Sequence, residues 1–187
     1  MNLRNLILGS AIAALAACAS NTTRLDMTPA KSTLSLRAAV SSAMVRTVSL
    51  PTYAAAEELA YETPDGLIAT NNAVLWADDP ARAVTLSLTR NLGDILSADV
   101  GPDPWPFVGL PDVAIDVRVS RMITDASGYF ELEGQFFVGG DGVDYPRSSE
   151  TFAISKPLIT NGTAGIAAAQ SQALVALAEE IAKKIGR

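Results

Sequence analysis

This 187-residue sequence has no histidine and one cysteine, Cys18, and the grouped side chains that could do acid-base chemistry are carboxylates. These counts exclude Ser-His-Asp and Cys-His triads, histidine-bearing zinc sites, an internal disulfide and a CxxC redox pair. The carboxylates that are close in sequence are Asp78-Asp79, Glu57-Glu58, Glu179-Glu180 and the pair Glu131 and Glu133. A glycosidase needs two carboxylates that face each other across a substrate, which adjacent residues do not provide. We interpret Asp78-Asp79 as a helix cap and Glu131 and Glu133 as a solvated strand face, and we predict no catalytic residue.

A segment rich in glycine and aspartate, residues 139–144, is the candidate for calcium binding. An EF-hand loop spreads its ligands over about 12 residues and ends in glutamate, whereas this segment runs directly into Tyr145-Pro146-Arg147. A hairpin loop explains the composition better. The sequence also lacks a Gly-x-Ser-x-Gly elbow and a Gly-Lys-Ser/Thr phosphate loop. We therefore expect no metal and no cofactor other than a covalent lipid, which is argued below.

Two aromatic residues, Trp105 and Phe107, stand in a proline-rich segment from Gly101 to Pro111 that we predict to be a loop. Two interpretations are open for them. Either they form a tip that docks on a partner or a membrane, or they form a lid over the hydrophobic core. They are the candidates for partner docking.

Residues 1–18 have the pattern of a signal peptide that ends in a modified cysteine. A short, positively charged start precedes an uncharged apolar run from Leu6 to Ala17. That run spans about 18 Å as a helix, less than the roughly 30 Å of a bilayer core, so we predict a signal peptide rather than a membrane span. Its end, Leu15-Ala16-Ala17-Cys18, resembles the lipobox of bacterial lipoproteins. We predict cleavage between Ala17 and Cys18 and a lipid on Cys18, the alternative being an ordinary secreted protein with a chance cysteine.

Lipidation would hold the mature chain at a membrane, because two or more acyl chains anchor a protein stably. Ala19 and Ser20 follow the cysteine, with no aspartate at the position that commonly retains lipoproteins in the inner membrane. The expected location is therefore the periplasmic leaflet of the outer membrane. We divide the chain into a signal peptide (1–17), a lipidated tether (18–23) and one domain (24–187). The mature chain has 13 basic and 20 acidic side chains, which argues against a nucleic-acid partner.

The apolar pattern predicts an α+β domain with a mostly antiparallel or mixed sheet that is covered by two amphipathic helices. The first helix should run from Pro80 to about residue 97, since Asp79 is a good N-cap and proline suits the first helical position. The second should follow the loop at 161–163 and end near residue 185. Five strands are predicted at 24–27, 44–50, 59–62, 67–76 and 150–155. Two more form a hairpin around a turn at 125–128: the first covers 113–120 and continues to residue 124, and the second covers 129–138.

The hairpin around the turn at 125–128 has the strongest alternation. A symmetric turn would place three apolar pairs opposite each other: Ile123 with Phe130, Val117 with Phe136, and Ile115 with Val138. On the other face it would bring Arg118 within reach of Glu133 for a cross-strand ion pair. The final helix should present one apolar stripe to the sheet, made of Ile166, Leu174, Leu177, Ile181 and Ile185.

The motifs and their order along the chain resemble those of the ABC-type transport auxiliary lipoproteins, the family of paraquat-inducible protein C. The resemblance extends from about residue 24 to residue 185. The similar features are the lipobox at 15–18, Ser49-Leu50-Pro51-x-Tyr53, Trp76-Ala77-Asp78-Asp79-Pro80 and Leu88-x-Arg90-Asn91-Leu92-x-x-x-Leu96, followed by the hairpin and the final helix. Leu25 and Met27 depart from the tyrosine-containing first strand of the family. The family's Trp-Ala-Glu-Pro-Leu motif is also altered, with an extra acidic residue and with Ala81 in place of the leucine. Partner contacts that the family makes at these altered positions are not carried over to this chain.

The resemblance implies a non-enzymatic subunit that is anchored at the outer membrane by the lipid on Cys18. It also implies a partner, the MCE-domain protein of an inner-membrane ABC complex that moves lipid across the periplasm, with the domain docked on the end of the conduit. Homo-oligomers are a further implication. The alternative is another envelope binding module, such as an outer-membrane assembly factor or a periplasmic inhibitor. The absence of histidine and of a nucleophile motif disfavours an enzyme.

Overall fold

The fold is seen in a computed structural model that describes residues 22–186, so the predicted signal peptide and Cys18 lie outside the described residues. The described strands are β1 (Thr23–Leu25), β2 (Ser42–Val45), β3 (Glu58–Glu62), β4 (Ile68–Trp76), β5 (Asp99–Pro102), β6 (Val113–Thr124), β7 (Tyr129–Gly140) and β8 (Ser148–Pro157). The described helices are α1 (Thr52–Ala55), α2 (Pro80–Ile95) and α3 (Thr163–Ile185).

These strands form one mixed sheet that is built around β6. One edge of β6 pairs antiparallel with β7, which pairs antiparallel with β8. The other edge is shared, because its start pairs with β2 and its last residue, Thr124, pairs with Tyr61 of β3. β5 extends the first branch beside β2, and β4 and β1 extend the second beside β3. The 12 residues of β6 therefore join two ends of the sheet that lie about 36 Å apart along the strand.

Helices α2 and α3 pack against each other and cover one face of the sheet. Helix α2 begins where the sequence predicts, because the Asp79 side chain accepts a hydrogen bond from the Arg82 backbone N–H at 2.8 Å and Pro80 follows the cap. Its buried apolar stripe consists of Val84, Leu88, Leu92 and Ile95. The predicted fold class, a mixed sheet covered by two amphipathic helices, is confirmed.

The final helix, α3, buries the stripe that its sequence predicts. Leu174, Leu177, Ile181 and Ile185 are fully buried, and alanines between them allow the helix to approach the sheet closely. Ile166, in the first turn, is half-buried and packs on a smaller cluster that contains Leu59 and Trp76. Within residues 22–186, no helix combines the length and the apolar character needed to cross a bilayer.

The β6–β7 hairpin confirms the predicted register at its open end. Ile115 lies opposite Val138, and Val117 lies opposite Phe136. All four side chains are buried under the helices. Strict alternation fixes this register, because a shift by one residue would turn every apolar side chain toward solvent.

The register predicted near the turn is wrong, because a β-bulge at Ser120 adds one residue to β6. Ile123 therefore lies opposite Glu131 rather than Phe130. Gly134 allows the close backbone approach at this bulge, since a Cβ there would lie 2.2 Å from the carbonyl oxygen of Arg118. The glycine was the sequence signal for the bulge.

The predicted ion pair between Arg118 and Glu133 is also wrong. Arg118 instead binds Asp116, two residues earlier on the same strand face, at 3.0 Å, and lies 5.2 Å from the centre of the Phe137 ring. The hydrogen bond and the charge of Asp116 raise the pKa of Arg118. After the bulge, Glu133 lies opposite Arg121.

Four short elements differ from their predictions. The strand predicted at 44–50 is β2, which ends at Val45, and the chain meets β6 again only through the bridge between Ser49 and Arg118. β5 takes the first two residues of the segment predicted as a loop, and α1 was not predicted. Strand β1 ends at Leu25, two residues before the end of the strand predicted at 24–27. Parallel pairing with neighbours distant in sequence defines β1 and β5, so local patterns do not reveal their bounds.

Candidate docking surface

The carboxylates that are close in sequence bind neighbouring groups. Asp79 caps α2, and Asp78 forms an ion pair with Arg82 one turn later. Glu131 on the exposed sheet face accepts a hydrogen bond from the Ser155 hydroxyl. Among residues 22–186, no three histidine, cysteine, aspartate or glutamate side chains come together in a group that would hold a metal ion. The surfaces of the fold are therefore the better place to look for a site.

The loop between β5 and β6, residues 103–111, is named the proline loop here, and both of its ends are attached to β2. At its start, the Asp103 backbone N–H donates to the Val45 carbonyl oxygen at 2.9 Å. At its end, the Asp112 carboxylate accepts from two backbone N–H groups at the start of β2, at 2.7 and 3.1 Å. Prolines within the loop further restrict its backbone. The fold therefore presents this loop in a defined position.

The two aromatic residues predicted as docking candidates lie partly against the fold and partly in solvent. Trp105 is half-buried over Gly101, where a Cβ would lie 3.0 Å from the indole ring. The indole N–H is buried and has no hydrogen-bond partner among the described residues. Phe107 packs edge-on against the indole, with ring centres 4.9 Å apart, and is 53% exposed. Trp105 thus supports Phe107, and Phe107 projects outward.

Three further apolar side chains extend this patch. Val108 and Leu110 are more exposed than Phe107, and Val143 from the loop between β7 and β8 is 48% exposed. The two loops touch, since a Cβ on Gly142 would lie 2.7 Å from the Pro111 carbonyl oxygen. We name Phe107, Val108, Leu110 and Val143 the proline-loop surface. Sequence analysis missed the last three, although apolar residues in a loop rich in glycine and proline were a signal for them.

Exposed carboxylates flank the proline-loop surface. Asp103 precedes the loop's aromatic pair, and Asp141 and Asp144 flank Val143. A contiguous apolar patch with a polar rim is typical of an interaction site. These carboxylates oppose an anionic lipid surface and complement a partner with basic residues around an apolar centre. Two exposed arginines, Arg46 and Arg147, line a neighbouring cleft with Gly139 and Gly140.

Comparison with known proteins places this fold among solved structures. A crystal structure of an uncharacterised protein matches with a TM-score of 0.67 and 17% identity, over 89% of this chain and 99% of the other. A Xanthomonas campestris protein of the DUF330 family matches with a TM-score of 0.66 and 18% identity, over 87% of this chain and 95% of the other. At such identities the likeness establishes the fold alone. A search of curated protein sequences finds no match.

The family comparison covers most of the sequence. The model of the ABC-type transport auxiliary lipoprotein component matches residues 24–182, from the second residue of β1 almost to the end of α3. The match thus includes the whole sheet except the first residue of β1, together with the proline loop. The chain belongs to the family of ABC-type transport auxiliary lipoprotein components.

Proposed function

We propose that this chain is an outer-membrane lipoprotein, anchored through Cys18, which serves as a non-enzymatic auxiliary subunit of an MCE-type ABC lipid transport system. The observation that carries the proposal is the family match over residues 24–182. The sequence adds a segment that resembles a lipobox and ends at Cys18, and no aspartate directly follows it. Membership of a lipoprotein family indicates an envelope location, and the sorting residues Ala19 and Ser20 favour the outer membrane within it.

The proposed mechanism is mechanical coupling between a membrane and a partner protein. The lipid holds the domain at the outer membrane, and the proline-loop surface docks on the end of the MCE-domain conduit. Phe107 and Val108 would enter an apolar recess of the partner, and its basic residues would lie beside Asp141 and Asp144. The attachment of both loop ends to β2 favours this role, because an ordered loop loses little conformational entropy on binding.

The proposed absence of catalysis rests on composition and on the bonding of the acidic side chains. No histidine is present, and a carboxylate mechanism of the glycosidase kind would require two carboxylates on either side of a substrate. Asp78, Asp79 and Glu131 instead hold neighbouring groups of the fold. The work of the domain is thus assigned to its surfaces.

Self-association is a further part of the proposal. The long strand β8 pairs with β7, and its other edge has no partner strand among residues 22–186. A free edge of ten residues offers backbone hydrogen-bonding groups to a second copy. Light scattering of the purified domain tests this component, and a monomer at the concentration found in cells would contradict it.

The anchor is tested with Cys18→Ser. The full chain should float with membranes and stay there after a high-salt wash, whereas Cys18→Ser should be released to the periplasm. Ser20→Ala is the matched control and should remain with the membrane. A Cys18→Ser protein that still fractionates with membranes would contradict the anchor.

The docking surface is tested by capture from membranes in mild detergent. The lipidated chain should recover an MCE-domain protein, and Phe107→Ser together with Val108→Ser should reduce the recovery at least tenfold, equivalent to about 1.4 kcal/mol. Ile159→Ser is the matched control, since Ile159 is also exposed but lies in the loop before α3. Recovery of another envelope protein in place of an MCE-domain protein would favour the alternative binding module.

A further inference from the structure

A second exposed apolar group lies at the opposite end of β6 from the proline-loop surface. The turn between β3 and β4 presents Leu67, 68% exposed, and Ile68, 46% exposed. Tyr61 of β3 and Tyr129 of β7 are exposed at the same end of the sheet, since Tyr61 pairs with Thr124, the last residue of β6, and Tyr129 begins β7 after the turn that follows. We name these four residues the hairpin tip. They do not belong to the hydrophobic core, so the core does not account for them.

The turn itself is ordered by local hydrogen bonds. The Thr63 backbone N–H donates to the Leu67 carbonyl oxygen at 2.8 Å, and the Leu67 N–H donates back to the Thr63 hydroxyl at 3.2 Å. Gly66 supplies the left-handed conformation, with φ of 77°, and its N–H donates to the Thr63 carbonyl oxygen at 2.8 Å. The backbone therefore holds Leu67 in solvent in a fixed position, although an apolar side chain gains nothing from water there.

The direction of β1 shows on which side the tether enters the fold. β1 is parallel to β4, and β4 runs from the hairpin tip toward α2. The chain therefore enters β1 from the side of the hairpin tip. Thr23 lies opposite Val74, and the next residue of β4, Leu75, pairs with Glu58 of β3.

The residues between Cys18 and β1 are long enough to reach the level of the hairpin tip. Ile68 pairs with Glu62, four residues beyond Glu58 on β3, which corresponds to about 13 Å. Cys18 is five residues before Thr23, and five residues reach at most about 17 Å. A lipid on Cys18 is thus able to enter the bilayer at the level of the hairpin tip.

We infer that the hairpin tip is a second membrane contact, in which Leu67 and Ile68 enter the lipid surface beside the Cys18 anchor. The inference rests on the proposed anchor at Cys18. Tyr61 and Tyr129 have the amphipathic rings that are enriched at the interface between water and lipid. Residues 61–68 contain no lysine or arginine; Glu62 is paired with Arg121, and Asp65 is exposed in the turn. The contact is therefore made by the apolar side chains and does not depend on anionic headgroups.

Two points of contact would orient the domain, which a flexible tether alone would not do. With the hairpin tip on the membrane, β6 stands away from the bilayer. The proline-loop surface then lies about 36 Å along β6 from the membrane contact. This geometry points the acidic rim of that surface away from lipid.

The test uses environment-sensitive fluorophores on the lipidated full chain. Because Cys18 carries the lipid, Leu67→Cys introduces a single reactive thiol, and Val108→Cys is the matched control at the other end. Each labelled protein is reconstituted in vesicles of phosphatidylethanolamine and phosphatidylglycerol. We expect a blue shift of emission, and quenching by nitroxide-labelled acyl chains, for position 67 and neither effect for position 108. Raising the salt concentration should leave the blue shift unchanged.

Each other outcome overturns a separate part of the inference. If the protein floats with vesicles and position 67 shows no shift, the membrane contact is wrong while the anchor stands. If both positions shift equally, the domain lies flat and the orientation is wrong. A shift at position 67 that appears without vesicles as protein concentration rises would assign the hairpin tip to a second copy. Failure of the unlabelled protein to float would overturn the anchor, and the membrane contact with it.

Discussion

The hairpin tip and the proline-loop surface both expose apolar side chains at opposite ends of β6, but their backbones are held in different ways. The hairpin turn is closed by hydrogen bonds between Thr63 and Leu67. The proline loop depends on residues distant in sequence, through Asp112 and the start of β2. The first surface is therefore locally encoded, and the second exists only when the sheet has formed.

The two surfaces also differ in charge. Asp103, Asp141 and Asp144 flank the proline-loop surface, whereas the hairpin tip has one exposed carboxylate, Asp65, and its other charged neighbour, Glu62, is paired with Arg121. An apolar patch with unpaired acidic neighbours suits a basic protein partner, and one with few charges suits lipid. The difference in charge between the surfaces at the two ends of β6 therefore assigns them different partners. Neither surface considered alone would give this assignment.

The largest expected effect comes from removing the core that joins the two ends. Phe136→Ala should lower the free energy of unfolding by about 3–5 kcal/mol, because the ring is fully buried between β7 and the helices. The hairpin tip and the proline-loop surface should lose order together, because the core joins them. Urea unfolding measures the change, with Phe137→Ala as the control on the half-buried opposite face. Equal losses in the two variants would contradict the described packing.

A smaller effect should separate the two surfaces. Asp112→Ala removes the acceptor for the backbone N–H groups of Ser41 and Ser42, at the start of β2, and should cost about 1–2 kcal/mol. Amide hydrogen exchange should accelerate in the proline loop and stay unchanged in the turn at 63–67. Asp103→Ala is the control, since Asp103 is held through its backbone N–H. Faster exchange in both regions would show that the surfaces are not independent.

A pH effect on stability should come from Asp125, in the turn between β6 and β7 at the end that carries the hairpin tip. Burial opposes the charged form of Asp125, but hydrogen bonds from Tyr129 and Ser127 outweigh it and lower the pKa of the carboxyl below 3.8. A lowered folded pKa adds stability that is complete above the unfolded value and is lost as pH falls through the folded value. Stability should therefore fall as the solution is acidified through and below the ordinary range of an aspartate carboxyl.

The contribution of Asp125 is isolated with Asp125→Asn, which keeps an acceptor in the turn but does not titrate. The difference in urea midpoint between wild type and Asp125→Asn should shrink as the solution is acidified. The effect should stay below about 1 kcal/mol, because the carboxyl is largely solvated. A difference that is constant over this pH range would contradict the proposed hydrogen bonds.

The smallest expected effects come from the exposed side chains themselves. Leu67→Ser and Val108→Ser should each change the free energy of unfolding by less than about 0.5 kcal/mol, because both residues project into solvent. Urea unfolding checks this expectation. A loss above about 2 kcal/mol for either variant would show that the residue belongs to the core.

Elements with strong local patterns were predictable from the sequence. Asp79 and Pro80 start α2, and the alternation from Val113 to Val119 defines β6, because caps and periodicity act between near neighbours. The bulge at Ser120 was missed, since its cause is a close approach to Gly134 on another strand. The wrong ion pair of Arg118 follows from comparing positions across strands without the nearer Asp116 on the same strand.

The candidate surfaces were only partly predictable for a similar reason. Trp105 and Phe107 stand out because aromatic residues are rare in proline-rich loops. Val143 joins them only through the contact between two loops that are some thirty residues apart in sequence. The hairpin tip was not identified as a surface, since Leu67 and Ile68 have the pattern of an ordinary strand until the structure shows them exposed.

Photo-crosslinking in intact membranes tests the two-ended account most directly. A photoreactive amino acid is placed at position 108 or at position 67 of the lipidated chain, and the products are identified by mass spectrometry. The account predicts crosslinks from position 108 to an MCE-domain protein and from position 67 to lipid. Crosslinks from position 108 to lipid, or from position 67 to an MCE-domain protein, would contradict it.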